Sequence, residues 1–445
     1  MKKFIIIAFL ILLTIFILAK PIEESLAFAV SDGFANFLSA GKNKVISLEV
    51  FWDETKTLPD FYIAHLEPMG FILVSADDRS MPILGYSLEN PYQEGKLPDH
   101  IKWFLEQYSK SIAEIRQHNE WSVDPLWEKI AQGDYSYWVY ERDVPPLLAT
   151  TWDQDWPYNS MCPSDAEGPG GHVLTGCVAT AMAQIMKKWD HPITGNGSHS
   201  YDAEGYGNQT ADFGSTFYNW DNMPNNITTV NDDIGTLMYH CGVSVNMHYG
   251  PDGSGAFSSD ARNALVNYFR YNNSAQLLDA SDYSSSTWCS MLKANLDLDF
   301  PVYYGGYDEG ADAGHAFVLD GYQGTDYFHI NWGWGGSCDG YFYLTNLNPG
   351  FHSFNLDQHA ILYIQPLPMH IVNDLGCMSI SGNTNPIVGE ATPYTVTVKN
   401  NGTTTQTNYM VKLMKEGGIV LNSVTGTTIN SLQTLDFTMN WTPTE

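Results

Sequence analysis

The centre of this 445-residue chain predicts an α+β fold, helices first and an antiparallel sheet second. Two stretches carry that prediction. Residues 171–189 open with glycines and a threonine, place Cys177, and continue as small and long-chain helix formers to Trp189, just ahead of His191-Pro192. A proline there marks the helix end. Residues 301–364 then hold five short alternating or apolar runs punctuated by glycine, the pattern of an antiparallel sheet. A third observation sets the limit of this unit: after Gln365 threonine, asparagine and valine dominate.

Taken in order, residues 1–19 are a methionine, two lysines, an apolar run and Ala19, which describes a secretory signal. A retained anchor is the alternative, because the run is about as long as a short membrane span. Residues 20–143 read as a small α+β unit. Ala27, Val30, Phe34, Phe37 and Leu38 recur at helical spacing, and strands are expected at 45–52, 61–66, 70–75 and 83–87. Ile101, Phe104, Leu105, Tyr108, Ile112 and Ile115 line one face of an amphipathic helix. No residues here suggest chemistry, so the unit is an interaction domain or a propeptide. Residues 141–146 are charged and carry two prolines, which suits an exposed linker or a processing site.

Residues 144–366 form the central domain. Within it, 195–225 reads as a surface excursion, with helices at 234–241 and 258–269. The final unit, 367–445, has alternating strands at 393–402, 410–414 and 435–441. These suggest a partial immunoglobulin-like β-sandwich with too few strands to close, hence a truncated module.

Charge and cysteine content narrow the function. Fifty acidic residues face 21 basic ones, a formal charge of −29. So acidic a surface repels phosphate backbones and argues against nucleic-acid binding. The six cysteines form no C-x-x-C pair, so neither a zinc ribbon nor a thioredoxin-like site is supported. One or two disulfides stay open in an oxidising compartment. No metal cluster or cofactor motif is visible.

Cys177 falls in the first turn of its helix, where unpaired N–H groups and the helix dipole favour a thiolate. A cysteine nucleophile needs a base, a group to orient it and donors for the oxyanion. His315 in Gly314-His315-Ala316 begins an apolar strand and is the leading base. Asn331 ends the next strand and can accept from one imidazole nitrogen. Trp332 and Trp334 in Trp332-Gly333-Trp334-Gly335-Gly336 can shield that bond from water. Gln154 can donate a side-chain N–H to the oxyanion beside the backbone N–H of Cys177. A cysteine followed by a histidine and an asparagine is the papain-like order.

Residues 175–186, from Thr175-Gly176-Cys177 to Met186, resemble the active-site helix of the streptopain family of secreted cysteine peptidases. Gly314-His315-Ala316 and Asn331-Trp332-Gly333-Trp334-Gly335-Gly336 resemble that family's histidine and tryptophan motifs, and Gln154 its oxyanion glutamine. Residues 62–87 resemble its inhibitory propeptide. The resemblance spans about residues 23–365. It implies a papain-like fold, a helical half plus a sheet half, behind an inhibitory propeptide. It also implies a zymogen cut within 141–148, protein or peptide substrates, and Trp332 as much as Asn331 orienting the histidine. Met247, Tyr249, Ser254, Gly255, Gly314 and Trp334 lie where substrate-contacting loops are expected. The trailing module is compatible with tethering or presenting the enzyme at a cell surface. Rival readings are an inactive binding relative, an acyltransferase or amidase with the same acyl-enzyme chemistry, and an adhesin built on the C-terminal module.

Overall fold

The computed structural model describes residues 20–52, 57–93, 95, 97–118, 120–139, 143–308, 313–324, 326–344, 358–367, 375–400, 404–415, 419–430 and 433–444. The expected signal segment, and Glu141 and Arg142 of the expected processing site, lie outside the described residues. The chain divides into two compact units, 1–366 and 367–445.

The first unit begins with α1 (Glu24–Ser39), β1 (Lys44–Trp52), β2 (Pro59–Glu67), β3 (Phe71–Ser75) and β4 (Ile83–Ser87). Helices α2 (Asp99–Gln117) and α3 (Pro125–Ala131) follow. Asp124 caps α3 by accepting the Leu126 N–H at 2.8 Å, with Pro125 in the first turn. A short β5 (Asp143–Val144) leads to α4 (Cys177–Trp189), the hairpin β6 (Ser198–Ala203) and β7 (Gly207–Asp212), α5 (Asp232–Ser244) and α6 (Ser258–Asn267). Then come β8 (Gln276–Asp279), α7 (Ser285–Leu296), β9 (Val302–Asp308), β10 (Ala313–Gln323), β11 (Tyr327–Asn331), β12 (Gly340–Tyr343) and β13 (Gln358–Leu362). The surface excursion expected at 195–225 therefore holds a hairpin.

Sequence reading separates the N-terminal unit from the central domain, but their strands share one sheet. Its order is β1-β2-β3-β4-β12-β11-β10-β9-β13-β8, with β5 also on β10. The seam is β4 on β12, with Tyr86 opposite Tyr341 and Gly85 opposite Phe342. Glycine is needed at 85, because a Cβ there would lie 2.7 Å from a Phe342 ring carbon.

Side chains alternate across a strand, and β10 uses both faces. Phe317 and Leu319 enter a core shared with α2, α3 and α7. Ala316 and Val318 enter a second core built on α4, α5 and α6. The functional histidine candidate and the cysteine candidate are distributed between these two cores.

The second unit has a three-stranded sheet, β14 (Leu375–Gly382), β15 (Thr392–Asn400) and β18 (Thr434–Trp441), and a hairpin, β16 (Met410–Lys415) with β17 (Ile419–Thr425). Val396, Val398, Val411, Leu413, Ile429, Phe437 and Met439 form its small core. Inward and outward residues alternate along β16 and β18, as in a sandwich with one buried face per sheet.

Candidate active site

Cys177 is the first residue of α4, and Gly176 before it has φ +88°. That backbone is open to glycine and strained for other residues. A Cβ at 176 would also lie 2.8 Å from the Met247 thioether and 2.9 Å from the Ser254 carbonyl oxygen. The helix stops at Asp190 in a left-handed cap, with Lys187 and Lys188 in its last turn facing the negative end of the dipole.

The Cys177 sulfur is buried, with the backbone N–H groups of Ala316, Val178 and Cys177 directed at it. Burial pushes its thiol up, and the N–H groups pull it back by less. Sequence reasoning expects the helix start to favour the thiolate. In this form desolvation wins, because the sulfur is closed off from water.

His315 follows the opposite face of β10. Its ring stacks on Trp103 of α2, centroids 5.2 Å apart and planes 28° from parallel. Ala316, the next residue, instead shares a core with Cys177, and its backbone N–H is directed at the sulfur. Strand alternation thus separates the imidazole from the thiol, and a helix from the N-terminal unit holds it there. Trp332 lies on the same side as His315. It is fully buried, 4.7 Å from the Phe317 ring and 5.2 Å from Phe104 of α2. Its indole N–H donates to the Cys338 carbonyl at 3.0 Å.

Asn331 faces the Cys177 side. Its side-chain oxygen accepts from Gln184 Nε2 at 2.8 Å and from the Gly333 N–H at 3.0 Å, and its amide donates to the Thr150 carbonyl at 2.8 Å. Those bonds tie β11 to α4 and to the segment before Gln154. The expected bond from Asn331 to the imidazole is replaced here by these three, because the ring is turned to the other face.

Gln154 is partly buried. Its carbonyl accepts the Thr175 N–H at 2.9 Å, two residues before Cys177. Its own N–H donates to Asp153 Oδ1 at 2.7 Å. Ser254 Oγ donates to the Leu174 carbonyl at 2.7 Å, and Leu174 N–H donates to the Gly250 carbonyl at 3.2 Å. The 250–255 loop, with Gly255 paired to His248, therefore flanks the approach to Cys177. Met247 has no exposed surface and Tyr249 is buried. Both back the loop from inside the core. Trp334 is partly buried, and Gly314 lies in β10 opposite Tyr307.

Comparison with known proteins shows the same elements elsewhere. The Peptidase C10 family model matches residues 152–342, and the Spi protease inhibitor model matches residues 19–112. Streptopain from Streptococcus pyogenes serotype M28 is 34% identical over 339 residues, which cover 69% of this chain and 81% of streptopain. The chain belongs to the peptidase C10 family. It is also 34% identical over 323 residues, 67% of its length, to the thiol protease/hemagglutinin PrtT of Porphyromonas gingivalis, of which it spans only 36%. A solved fragment of prointerpain A from Prevotella intermedia superposes with a TM-score of 0.60 at 32% identity, over 72% of this C10 chain and 99% of the fragment.

Sequence reasoning missed three features of the site. Trp103 sits beside the apolar stripe read on α2 and is only 3% exposed; its neighbour Phe104 was the signal. Asp320 on β10 accepts from the Leu148 N–H at 3.1 Å and pairs with His329 at 2.6 Å. Burial lowers His329, but the carboxylates of Asp320, Asp339 and Glu89 together outweigh it and the imidazole is pushed up overall. Asp153 and Asp339 are both pushed up to about 7, chiefly by burial. All six cysteines are free thiols, so the disulfides left open by the sequence are not formed in this structure.

Proposed function

We propose that the chain is an exported cysteine endopeptidase made as a latent precursor. Cys177 is its nucleophile, His315 its general base and acid, and Gln154 with the Cys177 N–H its oxyanion donors. Asn331 orients the imidazole on the Cys177 face, Trp332 backs it from the other face of the sheet, and residues 20–143 act as propeptide. The observation that carries this reading is the Trp103–His315 stack set against the Ala316 N–H on the Cys177 sulfur. Cys177 on α4 meets Ala316 of β10, while His315, the residue before it on that strand, points to the other face. A catalytic pair held apart by a docked helix is what a zymogen requires.

When α2 leaves, the ring turns to the Cys177 face, where Asn331 already lies. The thiol then loses its proton to His315 and attacks the peptide carbonyl carbon. A C–S bond forms and the oxyanion is met by Gln154 and the Cys177 N–H. The imidazolium gives its proton to the leaving amine as the C–N bond breaks. His315 next takes a proton from water, which attacks the thioester and releases the acid and the thiol. Ser254, Gly255 and Trp334 border the substrate, a protein or peptide.

Residues 143–148 support a cut on the N-terminal side of Asp143. Val144 pairs with Tyr322, and the Leu147 N–H donates to the Asp320 carbonyl at 2.7 Å. A break before Asp143 leaves these bonds with the catalytic domain. Residues 1–19 support export, and the second unit suits presentation at a surface. The test is turnover of an unfolded protein substrate by the processed chain, abolished by one equivalent of a thiol-alkylating agent that maps to Cys177. Turnover that survives full alkylation of Cys177 refutes the assignment.

A further inference from the structure

We propose that Asp153 is a positioning residue for the oxyanion site: its carboxyl group, set between Gln154 and Gly335, fixes the backbone of Gln154. The proposal rests on the peptidase reading above, with Gln154 as an oxyanion donor.

Three contacts place Asp153 for this task. Oδ1 accepts the Gln154 N–H at 2.7 Å, an Asx-type bond that fixes the backbone just after the acid. The Asp155 N–H also donates to the carboxyl group. Oδ2 faces Gly335 of the tryptophan loop, and a Cβ there would come within 3.0 Å of it. Gly335 has φ +61°, and its N–H donates to the Trp152 carbonyl at 3.3 Å. The acid thus sits where the Gln154 segment and the Trp332–Gly336 loop meet. On its far side Gln154 is tied to Thr175. Loss of the Asp153 carboxyl leaves Gln154 held on one side only.

The charge has a second effect. Asp153 is partly buried, and burial followed by the Asp155 carboxylate pushes it up to about 7. It in turn raises Tyr158 in the next turn and Asp339 beyond the tryptophan loop. Below about 7 the group is a neutral acid and still accepts from the Gln154 N–H. Above about 7 it is an anion one residue from the oxyanion donor. A fixed negative charge there opposes the charge that develops in the transition state. Turnover should therefore fall as pH rises through 7 for a reason separate from Cys177 and His315.

The test compares Asp153→Ala and Asp153→Asn with wild type, all freed of the propeptide, with kcat and KM followed on one peptide from pH 5 to 9. At pH 6, Asp153→Ala should lose about tenfold or more in kcat with KM within about twofold, on the scale of a misplaced oxyanion donor. Asparagine keeps an acceptor for the Gln154 N–H without the charge. It should recover kcat to within about threefold of wild type at pH 6 and exceed wild type at pH 8.5. Limbs due to Cys177 and His315 are common to all three proteins. Identical pH profiles for wild type and Asp153→Asn, or a loss confined to KM in Asp153→Ala, overturn the proposal. Wild-type turnover is measured first. A silent processed wild type sinks the peptidase reading and this proposal with it, whereas active wild type with indifferent variants sinks only the role of Asp153.

Discussion

Replacing Trp103 by alanine should wake the precursor. Trp103 is 3% exposed and stacks on His315 across 5.2 Å. Truncating a buried tryptophan costs about 3–5 kcal/mol, and an aromatic pair alone contributes about 0.5–1.5 kcal/mol. Phe104 remains on Trp332 and keeps part of the α2 contact. We therefore assign the lower figure, about 3 kcal/mol, to loss from the closed arrangement. That is about a hundredfold shift of the closed-to-open ratio toward open. The assay is the initial rate of peptide turnover by freshly purified precursor, before any change in its mass. Trp103→Ala should exceed wild type by one to two orders of magnitude, with Trp103→Phe between them. Retained thermal unfolding of both variants shows that the fold survives. A folded Trp103→Ala precursor that is as silent as wild type refutes the idea that this stack holds the base away.

Other consequences follow from the same geometry. Gly176→Ala places a methyl group against Met247 and the Ser254 carbonyl at a backbone φ of +88°. It should destabilise the catalytic domain by about 1–3 kcal/mol, read by urea unfolding, and depress kcat by moving the Cys177 N–H. Stability should also fall as pH rises from about 4 to 7. Asp153 and Asp339 bind protons more tightly when folded, from an ordinary value of 3.8 to about 7. The native state then holds more protons than the unfolded chain across that window, so its advantage is full below 3.8 and lost through 7. His329, pushed up from 6.5, acts in the same direction above that pH. The unfolding midpoint at pH 5 should exceed that at pH 8 by about 5 °C, and Asp339→Asn should remove much of the difference. Calorimetry at the two pH values checks this.

The catalytic elements were legible because each carries a local signal. Glycines, a cysteine and helix formers ending at His191-Pro192 give α4, and alternation gives β9 to β13. What escaped the sequence is long-range pairing. Nothing in residues 83–87 says that they add to an edge 250 residues away, since an apolar strand reads alike whatever it pairs with. The facing of His315 was equally hidden. Strand periodicity puts it opposite Ala316, but which face receives Cys177 depends on the packing of α4. Trp103 reads as one more apolar residue of α2, and Asp153 as a surface acid, until Gly335 is seen beside it. The raised Cys177 thiol has the same origin, because burial is a property of the assembled fold whereas the helix start is local.

Intact mass followed over time, for the purified precursor and its Cys177→Ala variant under reducing conditions at mildly acidic to neutral pH, bears most directly on the latent peptidase. Wild type should lose its N-terminal unit, by a cut before Asp143, and gain turnover as it does so. The variant should keep full mass and normal folding, since only one sulfur is lost from the start of α4. Loss of the N-terminal unit by both proteins at the same rate would contradict self-processing by Cys177. Wild type that stays whole, and stays silent even after a trace of added protease has removed that unit, would contradict the peptidase itself.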